Sequence, residues 1–399
     1  MLLGLSPNTL SLRQRRFYTS YIMTVYSLVI TLVFTISYGH DVINDLRTGQ
    51  FDLKNAVKLY SYMNILASII SYLTALFLTR IWAQSLNGVA LFETMHFFDV
   101  SARMVVSSNR LVFLKSLLIP IMQEVTLILQ QMYNEPDKNL MWTLYTLLPM
   151  IVSQMFPNIF FGTLVISKML VTTLNEHLGE VVNEVNCLQT ALQMSLHKPF
   201  YRMQRFCELA DRLDLLAQKY KIICEQTTKH LQLHSVPLIC SLMCNLCGIT
   251  ASCFTQYLAI ADTLVNNEPY NVFNALTNAV FLVISVFEVL LQAQICDENR
   301  LKVQETGLIL QRISLTHADV RFKQSVEEFS LLVLVIKYKI QPLGLLEINI
   351  SLFQDVSLYE GSIGGNGLST HIRTKRSYVA LFIEVKSNRY TTYICVNIA

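Results

Sequence analysis

Apolar runs dominate the chain, and they are of two kinds. Six are long and nearly continuous: Tyr21–Tyr38, Leu59–Leu78, Leu111–Met132, Leu140–Ile166, Leu238–Leu264 and Val272–Leu291. About 20 mostly apolar residues in a helix cross a hydrocarbon core of about 30 Å, so each run predicts a membrane span. The third is the most polar, carrying Lys115, Gln123, Glu124, Gln130 and Gln131. It cannot face lipid all round, and its ionisable groups should turn toward the bundle interior or water.

The second kind is periodic rather than continuous. Leu170, Leu174, Leu178, Val181, Val185 and Leu188 recur at spacings of three and four. Pro199 interrupts the pattern, and Phe206, Leu209, Leu213, Leu216, Tyr220 and Ile223 resume it among Glu208, Asp211 and Arg212. These intervals predict amphipathic helices that continue spans four and five beyond the bilayer. A further helix is expected over Asn299–Ser314. The stretch from Asp319 then reads as an amphipathic helix, with Val326, Phe329, Leu332, Val333 and Ile336 on one side and Lys323, Glu327 and Glu328 on the other. It ends at Gln341-Pro342-Leu343-Gly344, because proline removes a backbone donor and glycine permits left-handed geometry. A new apolar run, Leu345–Phe353, follows.

Composition agrees with a multi-span, all-α membrane protein. Of 399 residues 52% are hydrophobic and only 15% charged, and the mean hydropathy is +0.41. A soluble protein of this length needs a more polar surface. The net charge of +3 is too small to suggest nucleic-acid binding. Lys and Arg gather before span one, between spans two and three, between four and five, and after six, whereas the alternate loops are short and poor in net positive charge. That bias places the N-terminus in the cytoplasm. No cleavable leader is expected, since the basic cluster Arg13, Arg15 and Arg16 follows the short apolar start.

The block Val326, Glu327, Phe329, Ser330 and Leu331, followed by Gly344, Leu345, Ile348, Leu352 and Phe353, resembles the end of the insect gustatory receptors. Leu346 stands where that pattern has Phe, and Asn349 where it has Asp. The resemblance covers roughly residues 1–353. It implies a plasma-membrane cation channel subunit gated by a small-molecule tastant, with the N-terminus inside and a cytoplasmic anchor of helices holding four subunits around one pore. It also implies binding of the tastant among spans two to six from outside. A G-protein-coupled receptor has its N-terminus outside, and a transporter shows paired, interrupted spans in two halves, which this chain lacks.

The resemblance fails at the end. Members of that family close with an apolar pore-lining helix ending Thr-Tyr-x-x-x-x-x-Gln-Phe. Here Gln354, Asp355, Glu360, His371, Arg373, Lys375 and Arg376 interrupt the run, and Ala399 stands at the Gln place after Thr392-Tyr393. The chain thus divides into a six-span region, 1–298, with long cytoplasmic helices at 168–230; anchor helices and the start of a last span, 299–353; and a polar tail, 354–399, expected to be cytoplasmic or disordered. Because of this tail, a non-conducting partner subunit lacking the pore helix stands as the alternative to the channel subunit.

No enzyme motif is present: there is no G-x-S-x-G, H-E-x-x-H or Walker loop, and no cofactor or metal is expected. Cys240, Cys244, Cys247 and Cys253 lie in one apolar run and read as packing residues. His230 and His234, at i and i+4, read as a solvated helix face at the membrane edge. Glu124 is a candidate pocket residue or a partner for Lys115. Tyr145 and Phe156 are candidates for ligand contact on span four, where Pro149 and Pro157 should bend the helix and open space between neighbours.

Overall fold

The computed structural model describes residues 4–5, 8–11, 16–48, 56–89, 98–134, 136–137, 139–190, 199–266, 270–336, 338–342, 379–387 and 390–398. A short hairpin, β1 (Asn8–Ser11) and β2 (Arg16–Thr19), precedes α1 (Tyr21–Arg47), α2 (Ala56–Phe77) and α3 (Thr79–Val89). Then come α4 (Ala102–Phe113), a π-helical turn (Leu114–Leu118) and α5 (Ile119–Asn134), which together form one rod. The long helices are α6 (Leu140–Leu188), α7 (Pro199–Leu233), α8 (Ser235–Asn266) and α9 (Val272–Leu310), followed by α10 (Val320–Val335). Among the described residues, six helical segments are long and apolar enough to cross a membrane, and they coincide with the six predicted runs. The protein is an all-α, multi-span membrane protein.

Three helices far exceed a bilayer. The 49 residues of α6 reach roughly 70 Å at about 1.5 Å per residue, over twice a core of about 30 Å. The 35 residues of α7 and 39 of α9 are also long. Beyond the spans, these helices and α10 bury one another. Leu174, Leu178, Val181 and Val185 of α6 meet Leu209, Leu213, Tyr220 and Ile223 of α7, Val303 and Leu310 of α9, and Phe322, Val326 and Phe329 of α10. This is the periodic set of the sequence, buried as the spacing requires. α9 runs unbroken through residues 298 and 299, so the helix expected at Asn299–Ser314 is the end of the sixth span rather than a separate element.

Helix ends follow from local chemistry. Pro199 opens α7, where its missing N–H is no loss. Asn271 caps α9 through Asn274 N (3.1 Å), and Asp319 caps α10 through Arg321 N (3.1 Å). Pro120 has no N–H to offer the carbonyl four residues back, and the π-helical turn immediately precedes it. Pro149 likewise leaves the Tyr145 carbonyl without its helical donor, and the Tyr38 hydroxyl supplies one at 2.5 Å.

Between α6 and α9 the extension is joined by amide and hydroxyl groups. Asn299 Nδ2 donates to Leu164 O (2.7 Å), Asn175 Nδ2 to Lys302 O (2.9 Å) and Thr306 Oγ1 to Asn175 Oδ1 (2.7 Å). Gln189 Nε2 reaches Ser314 O (2.7 Å) and fixes the turn into α10. Tyr338 OH donates to Asn299 Oδ1 (3.0 Å), and Ile340 packs with Phe160, Phe161 and Leu238, bringing the chain back toward the spans. The last run of the resemblance, from Gly344 through Phe353, lies outside the described residues. Within 354–399, the described residues form an antiparallel hairpin, β3 (Val379–Ser387) with β4 (Tyr390–Ile398). The sequence expectation for the tail is cytoplasmic or disordered; its described residues, 379–387 and 390–398, are paired strand.

Phe329→Ala should lower stability by about 3–5 kcal/mol, because a fully buried ring is lost from the four-helix contact. Lys323→Ala on the exposed side of the same helix should stay within about 0.5 kcal/mol. Thermal unfolding of the detergent-solubilised chain compares the two; equal shifts would mean that α10 does not pack by this face.

A five-helix cavity and the buried ion pair beneath it

At the end of the bundle opposite the helical extension, five spans surround a cavity of about 600 Å³. Tyr60, Ser61 and Asn64 of α2 form one wall, and Leu127, Gln130, Gln131 and Asn134 of α5 another. Thr146, Pro149 and Met150 come from α6, Gly248, Ser252, Thr255 and Gln256 from α8, and Asn274, Asn278 and Phe281 from α9. The size is that of a small-molecule site. Its lining is apolar side chains interrupted by amides and hydroxyls, without an Asp, Glu, Lys, Arg or His among the described lining residues.

Most of the amides are used to tie helices together. Asn278 Nδ2 donates to Ser252 O (2.9 Å), Gln256 Nε2 to Ala275 O (2.6 Å) and Asn274 Nδ2 to Asn134 Oδ1 (2.7 Å). Thr146 Oγ1 donates to Gln131 Oε1 (3.1 Å) and Ser153 Oγ to Asn64 Oδ1 (2.9 Å). One acceptor is left over: Asn274 Oδ1 is buried without a hydrogen-bond partner. A buried unpaired acceptor is costly, and this one is covered by its neighbours rather than open to the cavity. The Tyr60 ring is fixed edge-on against Phe281, with centroids 6.4 Å apart, and by its hydroxyl near Met150 Sδ (3.5 Å). Gly248 lets α8 approach it: a Cβ at this position would lie 2.8 Å from the ring.

Directly along α5 and α9 from this cavity, Lys115 and Glu288 form an ion pair at 2.5 Å, both side chains fully buried. Lys115 Nζ also donates to Asn158 Oδ1 (3.1 Å), and Gln123 Nε2 to Glu288 Oε2 (2.9 Å). The pair therefore links the third span to the fourth and sixth. Glu288 is the partner of Lys115; Glu124 is not. Glu124 is half-buried, has no ion-pair or hydrogen-bond partner among the described residues, and does not line the cavity. It lies one helical turn from Leu127, which does.

Tyr145 and Phe156 also lie outside the cavity. Tyr145 stacks on Tyr38 (4.6 Å between centroids, 8° between planes) and donates to Asp41 Oδ2 (2.7 Å). Phe156 is buried against Trp82 (5.9 Å) and His234 (5.4 Å). Both belong to the core that packs α1, α2 and α3 on α6. His230 and His234 are not a solvated face: they are 5% and 1% exposed, and Trp82 Nε1 donates to His234 Nε2 (3.0 Å). Desolvation lowers the pKa of both, His230 to about 4. In the family block, Val326 and Phe329 are buried, whereas Glu327 and Leu331 are exposed and Ser330 donates back to Val326 O (2.7 Å). The cysteines of α8 are free thiols, with Cys244 buried.

Sequence reasoning missed Glu288, although the rule that singles out Glu124 applies to it equally. It missed Tyr60, Asn274 and Asn278 because amides and tyrosines are ordinary near helix ends, and only the packing shows that they converge. Replacing Glu288 alone (Glu288→Gln) leaves a buried ammonium unpaired and should destabilise by about 3–5 kcal/mol. The double change Lys115→Met with Glu288→Leu should recover most of that loss. Thermal stability of the purified variants reads both; a double variant as unstable as the single one would show that the pair is not the coupled element.

The whole-length comparisons agree with this architecture. The family model for the 7tm chemosensory receptor matches residues 1–354. A relative named "Putative gustatory receptor 94a" from Drosophila melanogaster is 39% identical over 344 residues, covering 86% of this chain and 85% of the relative. Another, "Putative gustatory receptor 97a" from the same organism, is 38% identical over 366 residues, covering 91% and 86%. With six spans in place and the match running through all of them, the chain belongs to the 7tm chemosensory receptor family.

Proposed function

We propose that this chain is a tastant-binding subunit of a non-selective cation channel in the plasma membrane. The observation that carries this reading is the five-helix cavity of small-molecule size, with an uncharged lining of apolar side chains, amides and hydroxyls. With the N-terminus in the cytoplasm, as the Lys and Arg distribution indicates, the cavity opens on the outer side. The ligand is then a small uncharged molecule with an apolar body and a polar group that suits the amides and hydroxyls of the lining. An ion would find no counter-charge there, and burying it unpaired is costly.

α9 offers a direct route for the response. The same helix contributes Asn274, Asn278 and Phe281 to the cavity, Glu288 to the ion pair, and Asn299 and Thr306 to the cytoplasmic ladder. A ligand that fits one position of α9 better than another shifts the population by its differential affinity. The helices beyond the spans serve as the anchor through which four subunits, of this chain or of relatives, assemble.

A second reading concerns conduction. Among the described residues of the tail, 379–387 and 390–398 pair as a hairpin, and the tail sequence lacks the apolar helix with which the resembled family closes. This favours a partner subunit that binds ligand and does not conduct alone. Patch-clamp recording from cells expressing this chain by itself should give no tastant-evoked current, and co-expression with a pore-competent relative should give one with a changed ligand profile. Robust current from the chain alone would overturn the partner reading. In the co-expressed channel, Gly248→Ala should raise the half-maximal ligand concentration about tenfold, equivalent to about 1.4 kcal/mol, because the Tyr60 ring must move. Gly179→Ala, where a Cβ meets nothing within 4 Å, should leave the dose response unchanged. Equal responses from the two variants would sink the cavity assignment. An epitope at the N-terminus should be reached by antibody only after permeabilisation; labelling of intact cells would reverse the orientation.

A further inference from the structure

A second cavity, of about 450 Å³, lies between α4, α6 and α7 where the spans give way to the helical extension. It occupies the face of α6 that carries Ile159, Gly162 and Ile166. At about 100° per residue this face is opposite the one where Phe160, Phe161 and Leu164 form the core with Ile340. The cavity is thus distinct from the five-helix one, and Ser167 at its edge also meets Tyr338 OH (3.4 Å), where the chain returns to the bundle.

Three features of its lining point to an occupant. First, no Lys, Arg, Asp or Glu is present among the described lining residues, and the histidine there, His230, is kept neutral by burial. Second, hydrogen-bonding groups are left over. Thr227 is 7% exposed, Gln226 is half-buried, and neither side chain has a partner among the described residues. Third, Gly162 sits inside a long helix, where glycine is less favourable than alanine, and a Cβ there would meet nothing within 4 Å. No close helix approach calls for this glycine, and the space beside it is open to the cavity. Next to the lining residues Val112 and Ser116, Phe113 and Leu117 turn exposed hydrocarbon outward. The surroundings of the mouth are therefore of the kind that faces lipid.

We propose that this cavity binds a neutral, sterol-sized membrane lipid with a single hydroxyl. The hydroxyl meets Thr227 and Gln226, and the hydrocarbon body lies against Ile159, Gly162 and Ile166. A fatty acid or phospholipid headgroup would bring a charge that the described lining does not match. The occupant sits beside the buried ion pair, since Asn158 both lines the cavity and accepts from Lys115 Nζ at 3.1 Å. This site depends on the multi-span fold and not on the tastant reading, so either can fail without the other.

The test uses the full chain in lipid nanodiscs and a diazirine-bearing cholesterol analogue, with labelled peptides mapped by mass spectrometry. Labelling should concentrate on residues 155–170 and 222–230 and be displaced by excess cholesterol. Gly162→Leu should reduce it about tenfold, and the shape-preserving Thr227→Val about threefold, corresponding to losses near or below one decade of affinity. Gly179→Ala should leave it unchanged and controls for folding of the same helix. Labelling that is even over all spans, that persists in both Gly162→Leu and Thr227→Val, or that is matched by a diazirine-bearing fatty acid would overturn the proposal.

Discussion

A lysine and a glutamate buried together among apolar helices constrain everything around them. Neither Lys115 nor Glu288 is tolerable alone inside the bundle, and each is fully covered. Their contact requires the third and sixth spans to meet at one level. Gln123 and Asn158 complete the pair and draw in the fourth span. The π-helical turn that carries Lys115 is where the third span departs from a regular helix, and such departures recur at functional positions. One cavity lies toward one end of the bundle from this pair and the other touches it through Asn158.

The long helices make this geometry consequential. A bilayer demands that backbone polar groups be satisfied within each segment, which continuous helices do at any length. α6, which contains Pro149 and Pro157, and α9 each run from the five-helix cavity to the extension as a single helix. There, side-chain amides such as Asn175 and Asn299 bind them to each other, while Leu213, Tyr220 and Phe329 supply the apolar contact. Asn278 at the cavity and Thr306 at the extension lie on one continuous helix, α9.

How far the sequence discloses this depends on the kind of signal. Continuous apolar runs identify all six spans, and intervals of three and four identify the buried face of the extension. Family-block residues sort as periodicity requires, with Val326 and Phe329 inward and Glu327 outward. The cavity is less legible, because it is made by residues from five helices that are unremarkable singly. Tyr145 and Phe156 illustrate the difficulty: aromatics on a proline-containing span suggest a pocket, yet Tyr38 and Trp82 fill the space beside them. His230 and His234 look like a wet edge because α3, whose Trp82 covers His234, is distant in sequence.

The most direct test joins the cavity, its sidedness and its role in one recording. Asn274→Cys in a channel co-expressed with a pore-competent relative would be treated with a membrane-impermeant thiol reagent, with the unsubstituted channel as control. Reagent applied from outside should abolish the tastant response of the variant and leave the control intact, while the same reagent inside the pipette should do nothing to either. A variant whose response survives outside treatment, or is lost only from inside, would contradict an outward-facing ligand cavity.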